Sequence, residues 1–126
     1  MSRYKIRLEM AENFEFPEGD SCCGYEFQAP LTPEGVIDLV EWKQHPESFP
    51  VVRFWRDETA RSGRLIYTAN RSWHFHYSNI GESDDPTFQF DREKFKPGEF
   101  VSLRDHAGDM HIFHVVSVEL MEDTPV

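Results

Sequence analysis

Two patterns in this chain have residue types and spacing that could do chemistry. Between Val51 and Tyr77, Arg53, Arg56, Arg61, Arg64 and Arg71 stand against only Asp57 and Glu58, a local charge of +3 in a chain whose formal net charge is -10. Phe54, Trp55, Tyr67, Trp73, Phe75 and Tyr77 interleave with them. A guanidinium is a planar fork of donors matched to phosphate or carboxylate, and a neighbouring ring can stack a flat ligand. The candidate ligand-binding residues are therefore Arg53, Trp55, Arg56, Arg64, Tyr67 and Arg71. The alternative is that the rings are core and the arginines pair with surplus carboxylates, each exposed pair worth at most ~1 kcal/mol. Strand parity divides the set, because Arg53 shares a face with Val51 and Trp55 while Arg56 lies with Val52 and Phe54. That favours a small pocket using one or two arginines over a continuous nucleic-acid interface.

The second pattern is Trp73-His74-Phe75-His76-Tyr77, which on a strand puts three rings on one face and two imidazoles, about 7 Å apart, on the other. Imidazole suits zinc, iron, copper or nickel, but two ligands do not make a site. His74, His76 and His106 form the candidate metal set, with His111, His114, Glu82 and the Cys22-Cys23 pair as further donors. A His-x-His strand followed by Glu invites comparison with the cupins. The spacing of Glu82, Thr68 in place of a glycine, and the offset from Pro97-Gly98 to His106 all depart from that pattern, so no relationship is drawn.

His114 has the parity of Met110, Ile112, Val116, Val118 and Leu120, which places it on an apolar, buried face, opposite His111. Asp20 and Glu26 beside the cysteines have the wrong sign to activate a thiol, which leaves soft-metal binding, oxidation sensing or plain strand packing for Cys22-Cys23. No glycine spacing fits a phosphate loop.

These residues must be positioned by one domain spanning residues 1–126, since 126 residues and 14.8 kDa leave no room for a second core. With 39% hydrophobic and 14% aromatic residues, the chain has enough apolar surface to offset the entropy of ordering. Period-two alternation marks strands at Arg3 to Met10 and around Tyr25, Phe27 and Ala29, ending at Pro30. Thr32 as cap, Pro33 and Glu34 in the first turn, a stripe through Val36, Ile37, Leu39, Val40 and Lys43, and Pro46 as stop predict a helix of about three turns.

Val51 to Arg56, Arg64 to Asn70 and Ser72 to Ser78 read as strands, Thr87 to Phe90 as a weaker one, and Glu99 to Asp105 with Met110 to Leu120 as a hairpin. The turn from Phe95 to Glu99 and the hairpin after it resemble a small SH3-like barrel over a quarter of the chain, which implies nothing about function. The fold class expected is α+β, predominantly antiparallel β: a small barrel or half-barrel of about eight strands with one short helix and a frayed tail after about residue 120.

The N-terminus lacks the uninterrupted apolar run of an export signal, no stretch reaches the roughly 20 apolar residues of a membrane span, and adjacent cysteines make a poor disulfide, so a reduced cytoplasm is expected. The net charge of -10 argues against coating nucleic acid or an anionic membrane. The function expected is a non-catalytic binding or adaptor module, without cofactor, taking an anionic small molecule or an acidic protein segment on strands 51–77. The alternatives are a metal-dependent barrel enzyme using His74 and His76, with a transition metal as cofactor, and an acidic protein mimicking nucleic acid.

Overall fold

The computed structural model describes residues 3–12, 17–46, 48–67, 73–77, 85–86, 94–104 and 110–121. Eight strands form one antiparallel sheet: β1 (Arg3–Met10), β2 (Asp20–Pro30), β3 (Pro50–Phe54), β4 (Arg61–Tyr67), β5 (Trp73–Tyr77), β6 (Asp85–Pro86), β7 (Phe100–Arg104) and β8 (Met110–Leu120). Among the described residues a single helix, α1 (Leu39–Gln44), lies between β2 and β3. The spatial order is β6-β5-β4-β3-β2-β1-β8-β7, a meander whose C-terminal hairpin returns to pair with the first strand. The Met121 amide donates to the Arg3 carbonyl at 2.8 Å and ties the end of that return.

Alternation in β1 and β2 sends Ile6, Leu8, Met10, Cys23, Tyr25, Phe27 and Ala29 inward. Leu65, Trp73, Phe75, Tyr77, Val101, Leu103, Phe113 and Val115 enter the same core from the other strands. The sheet is curled around these rings. Phe75 of β5 lies 4.9 Å from Tyr25 and 5.2 Å from Phe27, centroid to centroid, although β5 and β2 are three strands apart in the sheet. A flat sheet would separate them by about 14 Å. Phe113 of β8 reaches Tyr25 from the other side at 5.4 Å, and the edges β6 and β7 approach within 8 Å between Cα atoms. The result is the expected half-barrel with one short helix. Close strand approach at β4 requires glycine: a Cβ on Gly63 would run into the His76 carbonyl oxygen of β5.

The helix is shorter than its sequence signals suggest. Thr32 caps a tight turn instead of a helix, accepting from the Val36 amide at Oγ1 (3.3 Å) and from the Gly35 amide at its carbonyl (2.9 Å). Gly35 has φ of 90°, which only glycine adopts without strain. The turn folds Ile37 back to bridge Leu31, so both side chains enter the core. The helix starts at Asp38, whose carboxylate accepts from the Glu41 amide at 3.2 Å. It buries Trp42, which donates from Nε1 to the Leu65 carbonyl at 3.0 Å, and leaves Val40 in solvent.

The face assigned to β8 also changes. Phe113 and Val115 are the buried residues, and Met110, Ile112 and Val116 point outward with His114. The register slips between Arg7 and Leu8, which pair with Ser117 and Val115, so Val116 is an extra residue in β8. Beyond that bulge Val118 turns inward and packs on the core, while Leu120 at the strand end stays exposed. The long apolar parity run from Met110 to Leu120 is therefore two half-runs on opposite faces, and His114 is half-buried on the outside instead of in the core.

Candidate functional site

The arginines of the central stretch do not converge. Arg53, at the inner face of β3 opposite Tyr25, is buried with its guanidinium 4.3 Å above the Trp55 ring and Nη1 3.7 Å from Glu58. Trp55 in turn meets His111 at 5.8 Å and Phe113 at 6.3 Å, which makes a stacked plug over this end of the core. Arg56, just beyond β3, grips Asp20 through both oxygens, Nε at 2.9 Å and Nη2 at 2.7 Å. Asp20 also accepts from the Cys22 amide at 2.9 Å and from Cys23 Sγ at 3.5 Å. The Arg56 guanidinium, helped by that amide, holds the Asp20 carboxyl well below the usual carboxylate range, and Asp20 raises Arg56 in return.

Arg64 and Tyr67 lie toward the other end of the barrel. Arg64 pairs with Pro50 on one side and His76 on the other, on the outward face of β4, two residues from Ile66. Tyr67 packs with Trp73 at 4.8 Å and Trp42 at 6.2 Å. Arg71 lies outside the described residues.

Around Tyr67 there is a solvent-open cleft of about 700 Å³, lined by Trp42, His45, Pro46, Ser48, Ile66 and Tyr67. Arg3 is fastened to its rim: Nη2 donates to Ser48 Oγ and Nη1 to Gln28 Oε1, both at 3.0 Å, with the guanidinium 4.6 Å above the Phe49 ring. All three of these anchors are neutral. No carboxylate lines this cleft among the described residues, in a chain with 23 acids. Arg64 and Tyr67 belong to the set singled out from sequence, whereas Trp42, His45, Ser48 and Arg3 do not. Their only sequence signal was the Pro46 stop, which places the end of the helix, and with it Trp42 and His45, next to β3.

A second cleft, of about 860 Å³, opens at the other end of β1, between Glu9 to Glu12, Glu18 to Ser21, Arg56 and the outer face of β7 and β8. The six residue steps from Arg3 to Glu9 along β1 set the two openings about 20 Å apart.

His74 and His76 lie on the outward face of β5, in register with Ile66 and Arg64, and His106 lies outside the described residues. Among the described residues no three His, Cys, Asp or Glu side chains gather as a metal would need. Cys22 is exposed and Cys23 buried, on opposite sides of β2, so the adjacent thiols cannot clasp one soft metal ion. Burial pushes the Cys23 thiol up from its ordinary value. None of the described helices is long and apolar enough to cross a membrane. No family model, curated protein or solved structure matches the chain.

Proposed function

We propose that this protein is a non-catalytic binding module for a small anion that carries a flat ring, held in the cleft between the C-terminal end of α1 and β4. The observation that carries this reading is the meeting, at one cleft lined by Trp42, Tyr67, Ile66, His45 and Ser48, of aromatic side chains with the Arg3 guanidinium, which is held on the neutral anchors Ser48 and Gln28. Tyr67 offers a half-buried ring beside the largely buried Trp42, and Arg3 and Arg64 on the flanking outward faces supply cationic donors for phosphate or carboxylate. The cleft volume of about 700 Å³ suits a small molecule.

Phenyl phosphate is the simplest probe. Its titration should quench Trp fluorescence saturably, and Tyr67→Leu, Arg3→Gln or Arg64→Gln should each weaken binding by about tenfold, the loss of roughly 1.4 kcal/mol. Glu18→Gln, in the far cleft, should leave it unchanged. Equal binding of benzylamine, which has the ring but the opposite charge, would refute the reading.

A further inference from the structure

The second cleft has the opposite character. Its rim carries Glu9, Glu12 and Glu18, and its floor holds the Asp20 to Arg56 pair, whose two charges offset each other at 2.7 Å. One wall is apolar and exposed: Phe100 of β7 is 61% and Ile112 of β8 50% accessible. Phe100 leans on His114, with ring centroids 6.0 Å apart. Beyond the cleft the outward apolar residues continue as Met110 and Val116, so the stripe from Met110 to Val116 runs about 20 Å along β8. Apolar side chains held in water on a rigid strand, beside a row of carboxylates, make a contiguous surface of the kind that marks an interaction site.

We propose that this cleft and stripe dock an extended segment of a partner protein in which apolar side chains alternate with lysine or arginine. Charge complementarity selects this occupant: Glu12 and Glu18 are exposed, Glu9 is already engaged by Arg7 Nε at 2.7 Å, and the rim would repel an anionic lipid surface or nucleic acid. Length selects a polypeptide over a small organic cation, because the stripe extends well past the cleft. The apolar wall supplies affinity and the carboxylates supply orientation and approach rate. A module with one cleft for an anion and another for a basic segment would work as a bridge.

A fluorescein-labelled peptide of alternating leucine and lysine tests this on the full chain by anisotropy, with a serine-lysine peptide of the same charge beside it. The leucine peptide should bind, the serine peptide should bind at least about tenfold more weakly, and Phe100→Ser with Ile112→Ser should cost about the same factor. Glu12→Gln with Glu18→Gln should weaken binding severalfold, less so at high salt. All four positions are outward-facing, so the folded state should survive, and circular dichroism checks it. The proposal is overturned if the serine peptide binds equally well, if Phe100→Ser with Ile112→Ser changes nothing, if the leucine peptide does not bind, or if sedimentation shows a dimer of this chain that the same two substitutions dissolve. Phenyl phosphate binding in the first cleft is independent of all these outcomes.

Discussion

Phe75 is the residue on which the curl of the sheet can be tested. It is fully buried and touches rings of β2 that a flat sheet would place about 14 Å away. Phe75→Ala removes a buried ring and leaves a cavity, which costs about 3–5 kcal/mol. Its ring pairs with Tyr25 and Phe27, worth roughly 0.5–1.5 kcal/mol each, put the loss in the upper part of that range. Unfolding entropy of about 2.1 cal/mol/K per residue over this chain converts 4 kcal/mol into a Tm drop of roughly 15 °C. Phe100→Ala, on the outer face, should move Tm by no more than about 2 °C. The sharper assay is a double-mutant cycle by denaturant unfolding with Phe27→Leu and Phe75→Leu, where the rings lie 5.2 Å apart. A coupling of about 0.5–1.5 kcal/mol is expected. Strict additivity, or equal Tm losses for Phe75→Ala and Phe100→Ala, would refute the curled arrangement.

Three further outcomes follow from the same geometry. Asp20 has a depressed native pKa, so its contribution to stability is complete above the unfolded carboxylate value, about 3.9, and drains away as pH falls below it. Asp20→Asn should therefore lower Tm at pH 7 and flatten its dependence between about pH 5 and 2, and parallel pH curves for the two proteins would contradict the pairing with Arg56. A thiol reagent should label Cys22 rapidly in the native protein and Cys23 only on unfolding, as their opposite burial requires; two equally fast thiols would place both at the surface. Gly63→Ala should destabilise more than Gly98→Ala, because a Cβ at Gly63 meets the backbone of β5 while one at Gly98, with φ of 92°, meets nothing within 4 Å; the reverse order in Tm would mean that β4 and β5 are less closely apposed.

Strand content and pairing were legible in the sequence wherever alternation was local. In β1 and the second half of β2 the inward residues Ile6, Leu8, Tyr25 and Phe27 follow the period, while at the start of β2 the register shifts opposite Met10 and breaks it. Two physical effects escaped that reading. Gly35 at positive φ closes the chain into a turn where Thr32 and Pro33 have equally good helix-start chemistry, so the helix begins only at Asp38. The bulge at Val116 reverses the facing of β8 midway, and a bulge depends on the partner strand, which no local pattern contains. The geometry around the central arginines has the same limit. Arg53 and Arg56 have the composition of an anion site, but Arg53 faces Glu58 across the local β3–β4 turn, and the partner of Arg56, Asp20, is 36 residues away and fixed by tertiary approach. Of the set singled out from sequence only Tyr67 lines the open cleft, beside Ile66, and its other walls come from α1 and from Ser48 at the approach to β3, outside the stretch that local charge marks out.

The most direct test of the account is a ¹H–¹⁵N correlation spectrum of the labelled protein titrated with phenyl phosphate. The indole Nε1–H of Trp42 and the amides of Ser48, Ile66 and Tyr67 should shift saturably, while those of Glu12, Glu18 and Ile112 stay in place. Shifts centred on Arg53 and Arg56, or an unchanged spectrum, would contradict it.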